Sequence, residues 1–316
     1  MADLYSPGAV PEYLKEVVKD IPSDVLEHTR GVGYPFPLAL EGAKVLVLGC
    51  GAGRDAYIAS KLVGENGLVI GVDENEALID IALKNAPENC QFFAFPLDEL
   101  NKIQSGSIDV VLSNGSLSRC NNVQKTLAEV FRVLNYGGEF YGCDIFADRR
   151  IPLNLLQKKG EEPNGLSNAL YIEDFRRLMT QAGWLTTRHV STRPLRIQDE
   201  RFADIAYFKR TFRTYKLPDK LEDLCEQYNQ TATYLGGIEG AGAFYDLDDH
   251  HRFEKDVPLD VCGNSCAMVQ DTRVGKYFKI TGNRHVHYGP FPGCGNIPYA
   301  ADEEDESSAA SSCSCS

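Results

Sequence analysis

Short apolar runs alternate along this chain with longer stretches in which apolar residues recur every three or four positions. The run Lys44-Val45-Leu46-Val47-Leu48 ends at glycine, as a strand buried on both faces does. Leu68-Val69-Ile70-Gly71-Val72-Asp73, Cys90–Ala94, Ile108–Ser113 and Gly138–Asp144 repeat that texture. Between them the helical period appears over Arg54–Val63, Glu76–Asn85 and Val123–Leu134. One more helix is expected over Tyr171–Ala182, closed by Gly183, followed by β-type stretches at Leu185–Ile197 and Ala206–Leu217. Strands alternating with helices at this spacing predict a doubly wound α/β sheet, and a final antiparallel hairpin would bring it to seven strands.

The ends of the chain read differently. Residues 1–40 carry two short helical patterns, Val10–Asp20 and Ser23–His28, with Ser23 as the expected N-cap. Past Pro218 the composition shifts to Gly, Asp, His and Cys, which predicts a small α+β domain over 218–300 beside a main domain over 41–217. Within it Lys220–Tyr228 has a helical pattern and Gly275–Thr281 a strand-like one. Residues 301–316 are small, acidic and cysteine-bearing, a disordered tail by composition.

Composition narrows the function classes. A net charge of −13 over 316 residues is a poor match for a nucleic-acid phosphate backbone. No apolar stretch reaches the roughly 18 residues of a membrane helix, and the N-terminus lacks the form of a secretory signal. The expected setting is cytoplasmic, with a small-molecule partner; nothing in the chain fixes an oligomeric state. The ten cysteines then point to thiol chemistry or burial, not to a disulfide framework.

Gly49-Cys50-Gly51-Ala52-Gly53 lies between the first strand and the first helix of the α/β pattern, where a tight turn lets backbone approach a ligand. Asp73, at the end of the second strand, is placed to accept hydrogen bonds from ribose hydroxyls. The alternating G-x-G-x-G spacing, followed by Arg54-Asp55, resembles the first motif of class I S-adenosylmethionine-dependent methyltransferases. Leu97-Asp98 after strand three, Asn114 after strand four, and Gly137-Gly138-Glu139 at strand five match further motifs of that class. The resemblance implies a Rossmann-like methyltransferase fold and S-adenosylmethionine as cofactor, held by Gly49, Cys50, Gly51, Gly53, Asp73, Leu97, Asp98 and Asn114.

The segment from Val45 to Asp73 is similar to that of the arsenite methyltransferases. So are Ala169-Leu170-Tyr171, Phe212-Arg213, Tyr234–Ile238, Asp271-Thr272-Arg273 and His287–Gly295. This narrower resemblance implies methyl transfer to trivalent arsenic or a related soft acceptor. The other readings are a paralogue acting on a small organic thiol, amine or carbon acid, and a silent metalloid or metal sensor.

Thiophilic arsenic calls for converging thiolates. The resemblance places them at three points, occupied here by Val32, by Asn164–Asn168 and by Ile205. The thiols left to consider are Cys120, near the expected methyl donor, and Cys262, Cys266 and Cys294, a soft-ligand set to which His285 and His287 could contribute. Cys50, Cys90 and Cys143 read as loop or core, His250-His251 as a solvated loop, and Tyr34–Pro37 as either a wall of the site or a packed entry turn.

Overall fold

The computed structural model describes residues 8–156 and 165–294. The acidic tail with Cys313 and Cys315, together with Asn164 and Gly295, lies outside them.

At the N-terminus lie two short helices, α1 (Lys15–Lys19) and α2 (Ser23–Glu27). Pro22, not Ser23, is the N-cap of α2, and Ser23 is its first helical residue. The alternating pattern then folds as expected: β1 (Lys44–Leu48), α3 (Arg54–Val63), β2 (Leu68–Asp73), α4 (Glu76–Lys84), β3 (Cys90–Ala94), β4 (Ile108–Asn114) and α5 (Val123–Val133). There follow β5 (Leu134–Ala147), the two-residue β6 (Leu170–Tyr171), α6 (Ile172–Gln181), β7 (Arg188–Leu195) and β8 (Tyr207–Tyr215).

The main sheet runs β3-β2-β1-β4-β5-β8-β7, with β6 appended to β5. Strands β1 to β5 pair in parallel, while β8 pairs antiparallel with both β5 and β7. Side chains of β1 alternate between two apolar clusters. Leu46 and Leu48 pack on one face with Val130, Phe140 and Trp184; Val45 and Val47 pack on the other with Ile58, Val63 and Leu112. That two-sided burial is why the strand reads as an unbroken apolar run. The chain leaves β1 toward β2 and returns to β4 on its other side, so a crevice opens beyond the carboxyl ends of β1 and β4.

The C-terminal part contains β9 (Gln230–Tyr234), β10 (Phe244–Asp246), β11 (Arg252–Glu254), β12 (Pro258–Val261), α7 (Gly263–Gln270) and β13 (Phe278–Thr281). Strands β12, β9 and β13 make an antiparallel sheet, and β10 and β11 a hairpin. Its apolar cluster takes in Ala39, Tyr215 and Leu217 from the rest of the chain. Glu139 of β5 joins the parts more firmly. Fully buried, it pairs with Arg213 of β8 and with Arg273, just past α7.

Two local expectations differ. Lys220–Tyr228 forms no helix, because tertiary partners take its backbone groups. Asn264 bonds Glu222 N and the carbonyls of Glu222 and Leu224, while Gly263 N and Phe291 N bond the carbonyls of Glu226 and Cys225. The second difference is α7, a helix over a stretch of small and polar residues with no apolar period to announce it. It forms because Cys262 caps its N-terminus and all but its last residue, Gln270, is buried.

Candidate functional site

The crevice at the switch point is a cleft of about 580 Å³. Its floor is the predicted glycine loop from Gly49 to Ala52, while Gly53 itself does not line it. Gly49, Gly51 and Gly53 all have positive φ, and Gly53 is the N-cap of α3. A side chain at Gly49 would meet the Ser116 Cβ at 2.5 Å, so only glycine lets the loop from β1 lie this close to the turn after β4. Ser116 Oγ completes that contact by donating to the Leu48 carbonyl at 2.8 Å.

Asp73 stands at the rim where β2 ends. Its Oδ2 accepts from Gly51 N at 2.8 Å and its Oδ1 from Asn75 N at 3.0 Å, so the carboxylate is fixed against the loop while its outer face turns to the cleft. Leu97 also lines the cleft. Its neighbour Asp98 does not; it is half-buried and lies 3.6 Å from Lys125. Cys50 lines the cleft, but burial pushes its thiol well above the ordinary range and its hydrogen bond goes to the Gly51 carbonyl, so backbone is what it offers.

Asn114 lines the cleft from the end of β4 and has all its polar capacity in use. Its Oδ1 accepts from Val32 N at 2.8 Å and Gly33 N at 3.0 Å. Its Nδ2 donates to the Gly33 carbonyl at 3.0 Å and to Asp55 Oδ2 at 2.8 Å. The Arg54-Asp55 pair completes the clamp. Arg54 Nε reaches Asp55 Oδ1 at 2.7 Å, Nη2 reaches the Gly33 carbonyl at 3.1 Å, and the guanidinium lies over the Tyr34 ring. The segment 31–34 is therefore fastened over the glycine loop from both sides.

That fastening brings a second wall the sequence did not single out, formed by Glu27, His28, Thr29, Arg30 and Gly31. Tyr34–Pro37 is the packed entry turn: Phe36 is buried in the core. Asp144, also not singled out, is buried and holds the turn after β4 by accepting from Leu117 N, Ser118 N and Ser118 Oγ. Burial pushes its carboxyl up, with those hydrogen bonds opposing.

Residues from the three stretches where the resemblance places thiols lie together. Val32, Leu166 and Ile205 share one buried apolar cluster with Cys143, just behind Gly31 and Asn168 of the cleft wall. Cys143 is the one thiol of that cluster, and burial pushes it up to about 11. Cys120 is not a cleft residue; its sulfur donates to the Leu117 carbonyl and burial raises it to about 11.

The expected soft-ligand set is rearranged. Cys266 faces the C-terminal apolar cluster, bonds Gln270 and is pushed up to about 12 by burial. His285 is exposed and His287 pairs with Glu226. Cys262 instead meets Cys225 and Cys294, both of which hydrogen-bond to it. His251 is no solvated loop residue: it bonds Asp248 and Ser265 beside Cys262. No disulfide joins the described cysteines. Among the described residues no group of three or more His, Cys, Asp or Glu is set to hold a metal ion, and no helix is long and apolar enough to cross a membrane.

This cleft fits S-adenosylmethionine. A close-approach glycine loop leads into a helix N-terminus, and a fixed carboxylate stands at the end of the second strand with an outer face available to a diol. Comparison with known proteins agrees. The family model for a methyltransferase domain matches residues 40–183. An arsenite methyltransferase of Aquipseudomonas alcaligenes is 35% identical, over 97% of this chain and 92% of its own. The mouse arsenite methyltransferase is 30% identical over 86% of this chain and 76% of its own. The crystal structure of an arsenic(III) S-adenosylmethionine methyltransferase from Chlamydomonas reinhardtii superposes with a TM-score of 0.86 at 36% identity, covering 90% of this chain and all of that one.

Proposed function

This chain belongs to the arsenite methyltransferase family, whose members use S-adenosylmethionine, and on that premise we propose that it methylates trivalent arsenic delivered with small thiols already attached. The observation that carries the second half is the wall behind the cleft. Val32, Leu166 and Ile205 pack there in one apolar cluster whose single thiol is Cys143, whereas bare arsenite calls for several converging thiolates. An arsenic atom that keeps sulfur ligands of its own needs an apolar wall and exclusion of water instead. Correspondence over nearly the whole length favours this reading over a small organic acceptor or a silent sensor.

S-adenosylmethionine, when bound, supplies a methyl group on a sulfonium that leaves without acid assistance. The protein then has to hold two partners in line and keep water out. Gly49, Cys50, Gly51 and Gly53 would give backbone to the cofactor, and Asp73 would accept from its ribose hydroxyls. Leu97 would cover the base, while Asp98, expected at its edge, lies outside the cleft beside Lys125. Asn114 would act at the methionine end by fixing Gly31–Gly33. A soft acceptor presents a lone pair and no proton, so no general base is required. The setting is the cytoplasm and the partner a small molecule.

The test is arsenite-dependent consumption of labelled S-adenosylmethionine in excess glutathione, with methylated arsenic separated and quantified by its mass. Product formation that rises with glutathione at fixed arsenite is the expected result. Labelled cofactor turned over equally well without arsenite would sink the proposal.

A further inference from the structure

The charged residues of the cleft fall into three groups. Asp73 and Glu74 stand where β2 ends, at the edge assigned to the ribose. Arg54 and Asp55, both buried, neutralise each other at 2.6 Å. Two further arginines line the cleft, Arg30 on the wall made by Glu27–Gly31 and Arg119 on the turn after β4. Neither is among the residues assigned to the cofactor.

A chain of contacts brings these two arginines to one place. Arg119 Nε donates to the Gly115 carbonyl at 2.7 Å, which fixes its guanidinium just past the end of β4. A side chain at Gly115 would meet Val32 Cγ1 at 3.3 Å, and Val32 N bonds Asn114 Oδ1 at 2.8 Å. Arg30 lies two residues before Val32; it is exposed, and its guanidinium makes no hydrogen bond or ion pair among the described residues. Both arginines therefore flank the contact at which the cleft meets the apolar cluster of Val32, Leu166 and Ile205.

We propose that Arg30 and Arg119 bind carboxylates on the thiol ligands that arsenic brings with it, and so select an anionic thiol carrier over a neutral one. This rests on the function proposed above. An arsenic atom seated against Val32 directs the far ends of its thiol ligands to this rim, and a guanidinium presents a planar fork that matches a carboxylate. A chain of net charge −13 repels an anionic acceptor, so a cleft that admits one needs cations at the point of contact, where screening by salt is least. Glu27 and His28 share the wall with Arg30, and the glutamate limits the gain from the arginine. No bond is made or broken in this step; the arsenic–sulfur bonds arrive already formed.

The experiment compares arsenite pre-mixed with an excess of 3-mercaptopropionate or of 2-mercaptoethanol, two small thiols that differ in the carboxylate. Initial rates of labelled methyl transfer should give a KM for the arsenical about tenfold lower with the carboxylate-bearing carrier, with little difference in kcat. Arg30→Gln and Arg119→Gln should each remove most of that preference, Arg30→Lys should keep part of it, and added salt should erode it. Arg30 is exposed, so its replacement guards against disturbance of the turn by Arg119→Gln. Arg252→Gln, at an exposed position on β11 outside the cleft, should retain the preference. A preference that survives in both Arg30→Gln and Arg119→Gln overturns the proposal. So does its loss in Arg252→Gln, which would make it an effect of net charge. Weaker S-adenosylmethionine binding by calorimetry in the two cleft variants, with the preference intact, would give the arginines to the cofactor's own carboxylate and also overturn it. Titration of protein loaded with S-adenosylhomocysteine, using the two pre-formed arsenic–thiol complexes, separates this assignment from the function it rests on. Carboxylate-dependent binding without methyl transfer would overturn the proposed function and leave the arginine assignment standing; methyl transfer with no carboxylate preference would do the reverse.

Discussion

Replacing Glu139 with glutamine removes one charge and almost no volume. The carboxylate is fully buried, with Oε1 accepting from Arg213 Nε at 2.7 Å and lying 2.6 Å from its Nη2 in the ion pair, and Oε2 bound by Arg273. Burial alone would raise this carboxyl, but the two guanidiniums outweigh it and hold it below the usual range. Glu139→Gln would leave both cations buried opposite a neutral amide, a situation that costs about 3–5 kcal/mol. Other acceptors soften the loss, for Arg213 also bonds the Leu247 carbonyl at 2.9 Å, and Arg273 those of Leu38 and Ala39 at 2.8 Å each. The lower figure, about 3 kcal/mol, is therefore expected. Urea unfolding at pH 7, followed by the fluorescence of buried Trp184 and by circular dichroism, measures it. The sign with pH follows from the depressed folded pKa. The stabilisation is present above the unfolded carboxyl value of about 4.3 and is lost as pH falls through the folded value. The gap between parent and variant should thus stay constant from neutrality down to about pH 5 and close below it. A difference under about 1 kcal/mol at pH 7, or one that does not shrink in acid, would refute the reasoning.

Asp73→Ala should weaken S-adenosylmethionine binding at least about tenfold by calorimetry, since it removes a charged acceptor and two fastenings of the loop; unchanged affinity would dismiss the ribose assignment. Cys120→Ser should leave turnover within about twofold of the parent, because that thiol is protonated, committed to Leu117 and outside the cleft; a large loss of rate would restore it as a substrate ligand. His189 is held down at about 4, chiefly by burial and then by the charge of Arg210. Its contribution is present above its unfolded value of about 6.5 and is lost as pH falls from there toward 4, on the order of 3 kcal/mol. His189→Gln should flatten that part of the stability profile; an unaltered profile would show that His189 does not titrate there.

The local pattern carried most of the scaffold. Runs such as Val45–Leu48, buried on both faces, and helices with one apolar stripe, such as α5 with Leu127 and Val130 inward, announce themselves because their burial is periodic. The glycine loop and Asp73 were legible for a related reason. Positive φ and close approach restrict the first to glycine, and the end of a strand fixes the direction of the second. Leu97 lines the cleft and Asp98 does not, and the wall made by Glu27–Gly31 was not foreseen, since it is held there by Asn114 and Arg54 from distant parts of the chain.

What the sequence determined by itself, then, is whatever depends on neighbours within a turn or a strand: element order, sheet class, cofactor loop. Tertiary structure decided which side chains meet. Lys220–Tyr228 carries a helical period, yet Asn264, Gly263 and Phe291 take its backbone and leave it extended. Cys262 and Cys266 are spaced as a pair, yet Cys266 turns into the core, and the partners of Cys262 are Cys225 and Cys294. Val32, Leu166 and Ile205 are far apart in the chain and share one apolar wall. Long-range packing, which no local period encodes, sets the cleft at the switch point of the sheet and brings Cys225 and Cys294 to Cys262 apart from it.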